Sequence, residues 1–206
     1  MEIQNKRIRI IQAAEKLFSE QGYEGTSTRE ISKVADANIS MINYYFGSKE
    51  GVFMEIISNR IKDFNVQLKS INEDKIAHID KLLRVVNGYA QRILSNVPFH
   101  RMLQRELSLA QRPYMFLAIK DAMLANVMVI DNIINEGISN GEFRKVDSRM
   151  LIATIVGTIS NVVMFPFKVN ADINLDINIE ADRNLISARL TEHLNDLIKT
   201  YLTHHQ

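Results

Sequence analysis

Glycine and proline are scarce in this chain, 8 and 3 in 206 residues, so it has few places to turn sharply. Long helices are expected rather than many short, turn-linked strands. Apolar residues make up 46% of the chain, enough to bury a sizeable core, and the length suits one large or two small domains. With 25 Lys and Arg against 24 Asp and Glu, net charge argues against a disordered polyelectrolyte and carries no message about partners. Cysteine is absent, which excludes a disulfide framework and any thiolate metal site and fits a reducing compartment.

The N-terminus alternates charged and apolar residues (Lys6, Arg7, Ile8, Arg9, Ile10, Ile11). It lacks the continuous apolar stretch of a secretory signal, so it reads as mature protein with an expected cytoplasmic location. One run, Met150 to Phe167, carries no charge. It is barely long enough to span a bilayer, and Thr154, Gly157, Thr158, Ser160, Asn161 and Pro166 make it too polar to do so comfortably. A helix buried on most sides is the expected reading, with no membrane partner.

Apolar spacing marks the helices. Ile10, Ala13, Ala14, Leu17 and Phe18 form a stripe on a first helix that starts near Asn5 and stops at Gly22. Ser27-Thr28-Arg29-Glu30 has the form of a capping box and opens a short second helix. Asp36-Ala37-Asn38 interrupts it, Asn38 caps a third helix through Tyr45, and Gly47 closes that one. Ser48 caps a fourth, whose stripe of Phe53, Ile56, Ile57, Ile61, Phe64 and Leu68 runs about five turns. Further helices are expected near 76–95, 99–111, 113–136, 148–166 and 183–203, with Pro113 in a first turn and Asp147 as a cap. Asp172 to Glu180 alternates Ile and Leu with Asp and Asn at period two, fitting a short strand or an extended loop. The expected fold is all-α with about nine helices: a three-helix helix-turn-helix domain over 1–48, then a larger helical ligand-binding and dimerisation domain over 49–206. The fourth helix, 49–70, would connect them.

Two short helices joined by a three-residue turn match a helix-turn-helix, whose second helix lies in a DNA major groove, but an ordinary helical corner has the same outline. Surface chemistry separates the two. Ile42 and Phe46, four apart, can face a core, which leaves Ser40, Met41, Asn43, Tyr44 and Tyr45 pointing elsewhere. A plain corner has no need of two tyrosines and an asparagine there, whereas phosphates and base edges accept bonds from both, and Met41 or Ile39 could touch a thymine methyl. Lys49 falls in the first turn of the fourth helix, where the macrodipole disfavours a cation unless a phosphate is shared with the helix amides; Thr28 and Arg29 follow the same logic. Residues 1–50 carry seven basic and seven acidic side chains, so tight DNA binding would need clustered bases and two copies of the domain.

Three segments, IQAAEKLFSEQGY (Ile11 to Tyr23), GTSTREI (Gly25 to Ile31) and YYFGSKE (Tyr44 to Glu50), resemble the N-terminal domain of the tetracycline-repressor (TetR) family, without gaps from about residue 8 to 57. Downstream, GISNGEFR (Gly137 to Arg144) resembles a recurring element of that family. The resemblance implies a homodimeric transcriptional regulator, usually a repressor, that binds a palindromic double-stranded DNA operator and is released by a small-molecule effector. It puts Thr28, Arg29, Ser40, Met41, Tyr44, Tyr45 and Lys49 on positions that commonly touch DNA, and Asn43 stands where a tyrosine is frequent. Asp36 replaces a frequent turn glycine, which Asp tolerates because it visits the left-handed region.

In the second domain, Leu151, Ile155, Ile159 and Val163 on one late helix and Leu190, Leu194, Leu197 and Tyr201 on the last are candidates for a four-helix dimer interface. An intramolecular core explains the same stripes, and the family resemblance favours the dimer. Tyr89, Met102, Glu106, Phe116, Met123, Asn126 and Asn161 are candidates for an effector pocket, since such sites are mostly apolar with a few polar anchors. No catalytic constellation is present: the five His form no H-E-x-x-H pattern, and neither a phosphate loop nor a G-x-S-x-G elbow occurs. No cofactor or metal is expected. Asp172, Asn174 and Asp176 open like a calcium loop, but Ile177 and Arg183 occupy the glycine and glutamate positions. His204-His205 reads as a solvated end. Two rival readings are a helical carrier or enzyme that leaves the N-terminal helices unused, and an architectural DNA binder without an effector.

Overall fold

The computed structural model describes residues 2–108, 113–170 and 175–203, and among these there is no strand. Ten helices follow one another: α1 (Glu2–Gly25), α2 (Thr28–Val34), α3 (Ile39–Phe46), α4 (Lys49–Glu73), α5 (His78–Leu94), α6 (Val97–Ser108), α7 (Pro113–Ser139), α8 (Ser148–Met164), α9 (Phe167–Asn170) and α10 (Glu180–Leu202). The fold is all-α, as the spacing predicts, and the count exceeds nine only by the single turn α9. Gly22 leaves helical geometry at φ 78°, so α1 breaks at the expected stop before its last turn. Leu175 to Ile179 form a turn leading into α10 rather than a strand, and Glu180 is already helical. The first residues of that segment, and His204-His205, lie outside the described residues. No helix among the described residues is long and apolar enough to cross a membrane.

The chain divides into two compact units within Met1–Asp63 with Pro98–Met123, and Phe64–Val97 with Leu124–Gln206. The division does not follow the expected boundary at residue 48: α6 and the start of α7 join the helix-turn-helix rather than the second unit. In the first unit Ile10, Ala14 and Phe18 of α1, Ile31 of α2, Ile42 of α3 and Phe53 of α4 are fully buried together. Phe18, Tyr23 and Phe53 pack ring on ring, with centroids 4.9 to 5.5 Å apart. Phe99, Met102 and Ile119 complete this core from α6 and α7.

The second unit is built around α5, α8 and α10 with the ends of α4 and α7. Leu82, Ile134, Ile159, Val163, Leu194 and Ile198 sit at its centre. The GISNGEFR element closes it. A Cβ on Gly137 would lie 2.4 Å from the ring of Phe143, so only glycine lets that buried ring fold back over α7. Arg144 then caps the end of α10. Its backbone N–H donates to the Leu202 carbonyl at 2.9 Å and its Nε to the Tyr201 carbonyl at 2.5 Å, with the guanidinium 4.1 Å above the Tyr201 ring. A cation at a helix C-terminus is where the macrodipole favours one.

This packing redefines the dimer candidates. Leu151, Ile155, Ile159 and Val163 of α8 and Leu190 and Leu194 of α10 are buried in the core of their own protomer, while Leu197 is half-buried against it. A helix has one apolar stripe, and here α8 and α10 spend it on α5 and each other's neighbours. Tyr201 remains 41% exposed. The opposite faces are the ones left to solvent: Met150, Ala153, Thr154, Gly157 and Asn161 on α8, and Leu185, Ala188, Arg189, Glu192 and His193 on α10.

Candidate nucleic-acid interface

The capping box that begins α2 is complete. Ser27 Oγ accepts from the Glu30 backbone N–H at 3.2 Å, and a Glu30 carboxylate oxygen accepts from the Ser27 N–H at 2.8 Å and its hydroxyl at 2.7 Å. These bonds hold the Glu30 carboxyl below its ordinary range, the Ser27 hydroxyl contributing most. The turn that follows bends at Asp36, whose φ is 47°. A second cause accompanies Asp's tolerance of that conformation. Arg9 of α1 donates to the Asp36 carboxylate at 3.0 Å and Lys6 to the Asp36 carbonyl at 2.8 Å, so two cations clamp the turn to α1 and lower the Asp36 pKa.

Asn38 caps α3 by accepting the Ser40 N–H at 3.0 Å, and Gly47 ends the helix. Ile42 is fully buried, and Phe46 is half-buried with the Arg7 guanidinium 5.3 Å from its ring centroid. Four side chains stand out on the opposite face: Ile39 (37% exposed), Ser40, Asn43 and Tyr44 (82% exposed). Spacings of one, four and five residues put them on one surface of the helix. Met41 and Tyr45 are different, being half-buried against the core, and the Tyr45 ring braces Tyr44 edge-on at 5.1 Å. Thr28 and Arg29 lie in the first turn of α2, Thr28 half-buried and Arg29 exposed.

Lys49 has a structural occupation that its position did not reveal. Its ammonium donates to the carbonyls of Tyr23 at 2.9 Å and Thr26 at 3.0 Å and sits 4.3 Å from the Tyr23 ring centroid. Carbonyls at the end of α1 thus offset the cost of a cation at the start of α4 without an anion. Nearby, a Cβ on Gly51 would come 1.8 Å from the Phe46 carbonyl oxygen, so α3 and α4 meet this closely only through glycine. Arg7 pairs with Glu55 at 2.5 Å and Arg60 with Glu15, further fastening α1 to α4. Such ties link positions about 25 to 50 apart in sequence, beyond what local spacing reveals.

The seven effector candidates divide between the two units. Met102 and Glu106 are buried in α6 and Phe116 and Met123 exposed on α7, all in the first unit. In the second, Tyr89 is half-buried with burial pushing its phenol up to about 12, Asn126 is buried and accepts from Asn65 at 2.8 Å, and Asn161 is exposed. A cavity of about 300 Å3 in the second unit is lined instead by Thr158, Val162, Val169, Ile186, Arg189, Leu190 and His193.

A short capped helix that presents polar side chains from a three-helix scaffold has the architecture of a helix-turn-helix. The family model for bacterial regulatory proteins of the tetR family matches residues 10–56, and the model for the C-terminal region of YsiA-like proteins matches residues 46–187. The chain belongs to the TetR family. Members of this family are DNA-binding transcriptional regulators and not enzymes. Among its relatives, the probable HTH-type transcriptional regulator YttP of Bacillus subtilis is 35% identical over 99 residues, 47% of this chain and 46% of that one. The match thus spans about half of YttP. The fatty acid metabolism regulator protein of Bacillus subtilis is 26% identical over 164 residues, 77% of this chain and 81% of that one. In fold, the chain is similar to the transcriptional regulator FadR from Bacillus subtilis in complex with stearoyl-CoA, with a TM-score of 0.73 at 23% identity over 91% of this chain and 96% of that one.

Proposed function

We propose that this chain is a cytoplasmic repressor whose two α3 helices enter successive major grooves, about 34–36 Å apart, on a palindromic operator. The observation that carries the reading is the solvent-facing set Ser40, Asn43 and Tyr44 on a capped helix whose other face is buried at Ile42. Thr28 and Arg29 supply phosphate contacts from the first turn of α2, where backbone N–H groups also point outward. Met41 and Tyr45 brace the reading face, and Lys49 supports it from behind by holding α4 to the end of α1. The exposed faces of α8 and α10, around Gly157 and Ala188, pair the two copies, since small residues let helices approach closely.

The effector is proposed to be a long-chain acyl thioester or fatty acid. Support comes from the stearoyl-CoA held by FadR and from the 164-residue match to a fatty acid metabolism regulator. The second-unit cavity, walled by Val162, Val169, Ile186 and Leu190, shares Arg189 and His193 with the α10 face proposed to pair the two copies, so it is assigned to that pairing and not to the effector. An effector that prefers the protomer arrangement unfit for DNA weakens operator binding by its differential affinity and no more.

Fluorescence anisotropy with a duplex enriched from a random pool tests both parts. Tight binding at near-physiological salt, weakened by stearoyl-CoA and not by coenzyme A alone, is the expected result. Binding that no acyl chain of 8 to 18 carbons alters removes the effector class, and absence of any enriched duplex removes the DNA reading.

A further inference from the structure

The side chains that α3 offers to DNA are unusual in what they omit. From Ile39 to Phe46 the helix contains no Arg, Lys, Asp or Glu. The commonest specific contact to guanine is a bidentate Arg or Lys on O6 and N7, and cytosine is read through its N4 amino group by a carboxylate. Neither reader is present. What the exposed face does carry is Ile39 in the first turn, Ser40 beside it, and Asn43 and Tyr44 one turn on. An asparagine amide matches the N6 and N7 of adenine bidentately, and an aliphatic side chain contacts the C5-methyl of thymine. Asn38, the other amide, is already spent on the Ser40 N–H at 3.0 Å.

We infer that the base pairs under α3 are read as A·T pairs, with Asn43 on adenine and Ile39 on a neighbouring thymine methyl. This rests on the reading of α3 as the groove helix and adds the base class that it selects. Ile39 is essential to the argument. An isoleucine 37% exposed at the opening of α3 gains nothing from water or phosphate, but a methyl group at the groove floor gives its side chain an apolar partner. Tyr44, 82% exposed and braced by Tyr45, has a hydroxyl for phosphate or base and a ring edge that also tolerates a methyl. Arg29 is the one guanidinium among the proposed DNA contacts, and it stands on α2. A guanine read by a guanidinium in the half-site would therefore lie outside the pairs under α3.

The test is a selection from a random duplex pool by the full-length homodimer, repeated with Asn43→Ala, Ile39→Ala and Arg29→Ala, followed by single replacements of thymine with deoxyuridine in the recovered site. In the wild-type protein, A·T pairs should be selected at the positions whose preference relaxes in Asn43→Ala, with discrimination there falling about 5- to 150-fold. Deoxyuridine lacks only the C5-methyl, so at one position it should weaken the wild-type protein about fourfold and leave Ile39→Ala unaffected. A guanine that persists in Arg29→Ala and relaxes in an α3 variant overturns the inference and leaves operator binding intact. Failure of the folded dimer to enrich any sequence overturns both.

Discussion

The two units of this chain were built from the same kind of helix, yet their surfaces are unequally legible. In the helix-turn-helix each short element carries its own start and stop: the Ser27–Glu30 box, the Asn38 cap, the Gly47 end. An exposed tyrosine on a helix of eight residues is anomalous enough to point outward to a partner. In the second unit the helices are equally well marked, but an apolar stripe states only that something covers it. Ile155 and Leu194 suit a dimer interface and a protomer core equally by spacing, and the packing assigns them to the core. Periodicity identifies a face; it does not identify the neighbour.

The sharpest way to break this contrast is Leu194→Ala. Leu194 is fully buried within the protomer, so truncation should lower unfolding free energy by about 2–5 kcal/mol, measured by urea at fixed protomer concentration. A change in dimer dissociation with unfolding of the protomer unaltered would return the residue to the interface.

His100 gives the next largest effect. It is 4% exposed, its Nε2 has no hydrogen-bond partner, and burial pulls its pKa down to about 4. The unfolded chain, with an ordinary histidine near 6.5, therefore binds more protons between those values, and stability should fall as pH drops from about 6.5 to about 4, by a total on the order of 3 kcal/mol. His100→Gln should flatten that segment of the stability–pH curve. An unchanged slope in the variant would assign the acid sensitivity to other groups.

Lys49→Gln separates two roles that sequence position leaves entangled. Loss of charged hydrogen bonds to the Tyr23 and Thr26 carbonyls should cost about 1–3 kcal/mol of stability. The dependence of DNA affinity on salt should keep its slope, whereas removal of a phosphate contact would reduce that slope by about one. Gly157→Arg has the smallest effect on the protomer. A Cβ there meets nothing within 4 Å, and replacing glycine inside a helix should raise protomer stability by up to about 1 kcal/mol. Sedimentation should nevertheless show half the mass, because the guanidinium occupies the face proposed to meet the second copy. A dimer of unchanged affinity would move the interface elsewhere.

The sequence pattern thus reached the element order, the capped helix-turn-helix and the polar face of α3. It missed what depends on distant partners. Lys49 is held by carbonyls that lie 23 and 26 residues earlier, which local spacing does not reveal. Tyr89, Met102 and the other effector candidates stand on helices whose mutual placement no periodicity supplies, and they divide between the two units. Asp36 is an intermediate case: its left-handed backbone follows from the family resemblance, which puts it at a frequent turn glycine, while its clamps, Lys6 and Arg9, appear only when α1 is laid beside the turn.

The central claim is that the outward face of α3 is the part of this molecule that meets DNA. Tyr44→Ala tests it most directly, since the side chain is 82% exposed and outside the packed core. Titrated by anisotropy against the wild-type protein's own enriched duplex, the variant should bind about tenfold more weakly or worse, with circular dichroism and dimer mass unchanged. Equal affinity in a folded, dimeric variant would contradict the account.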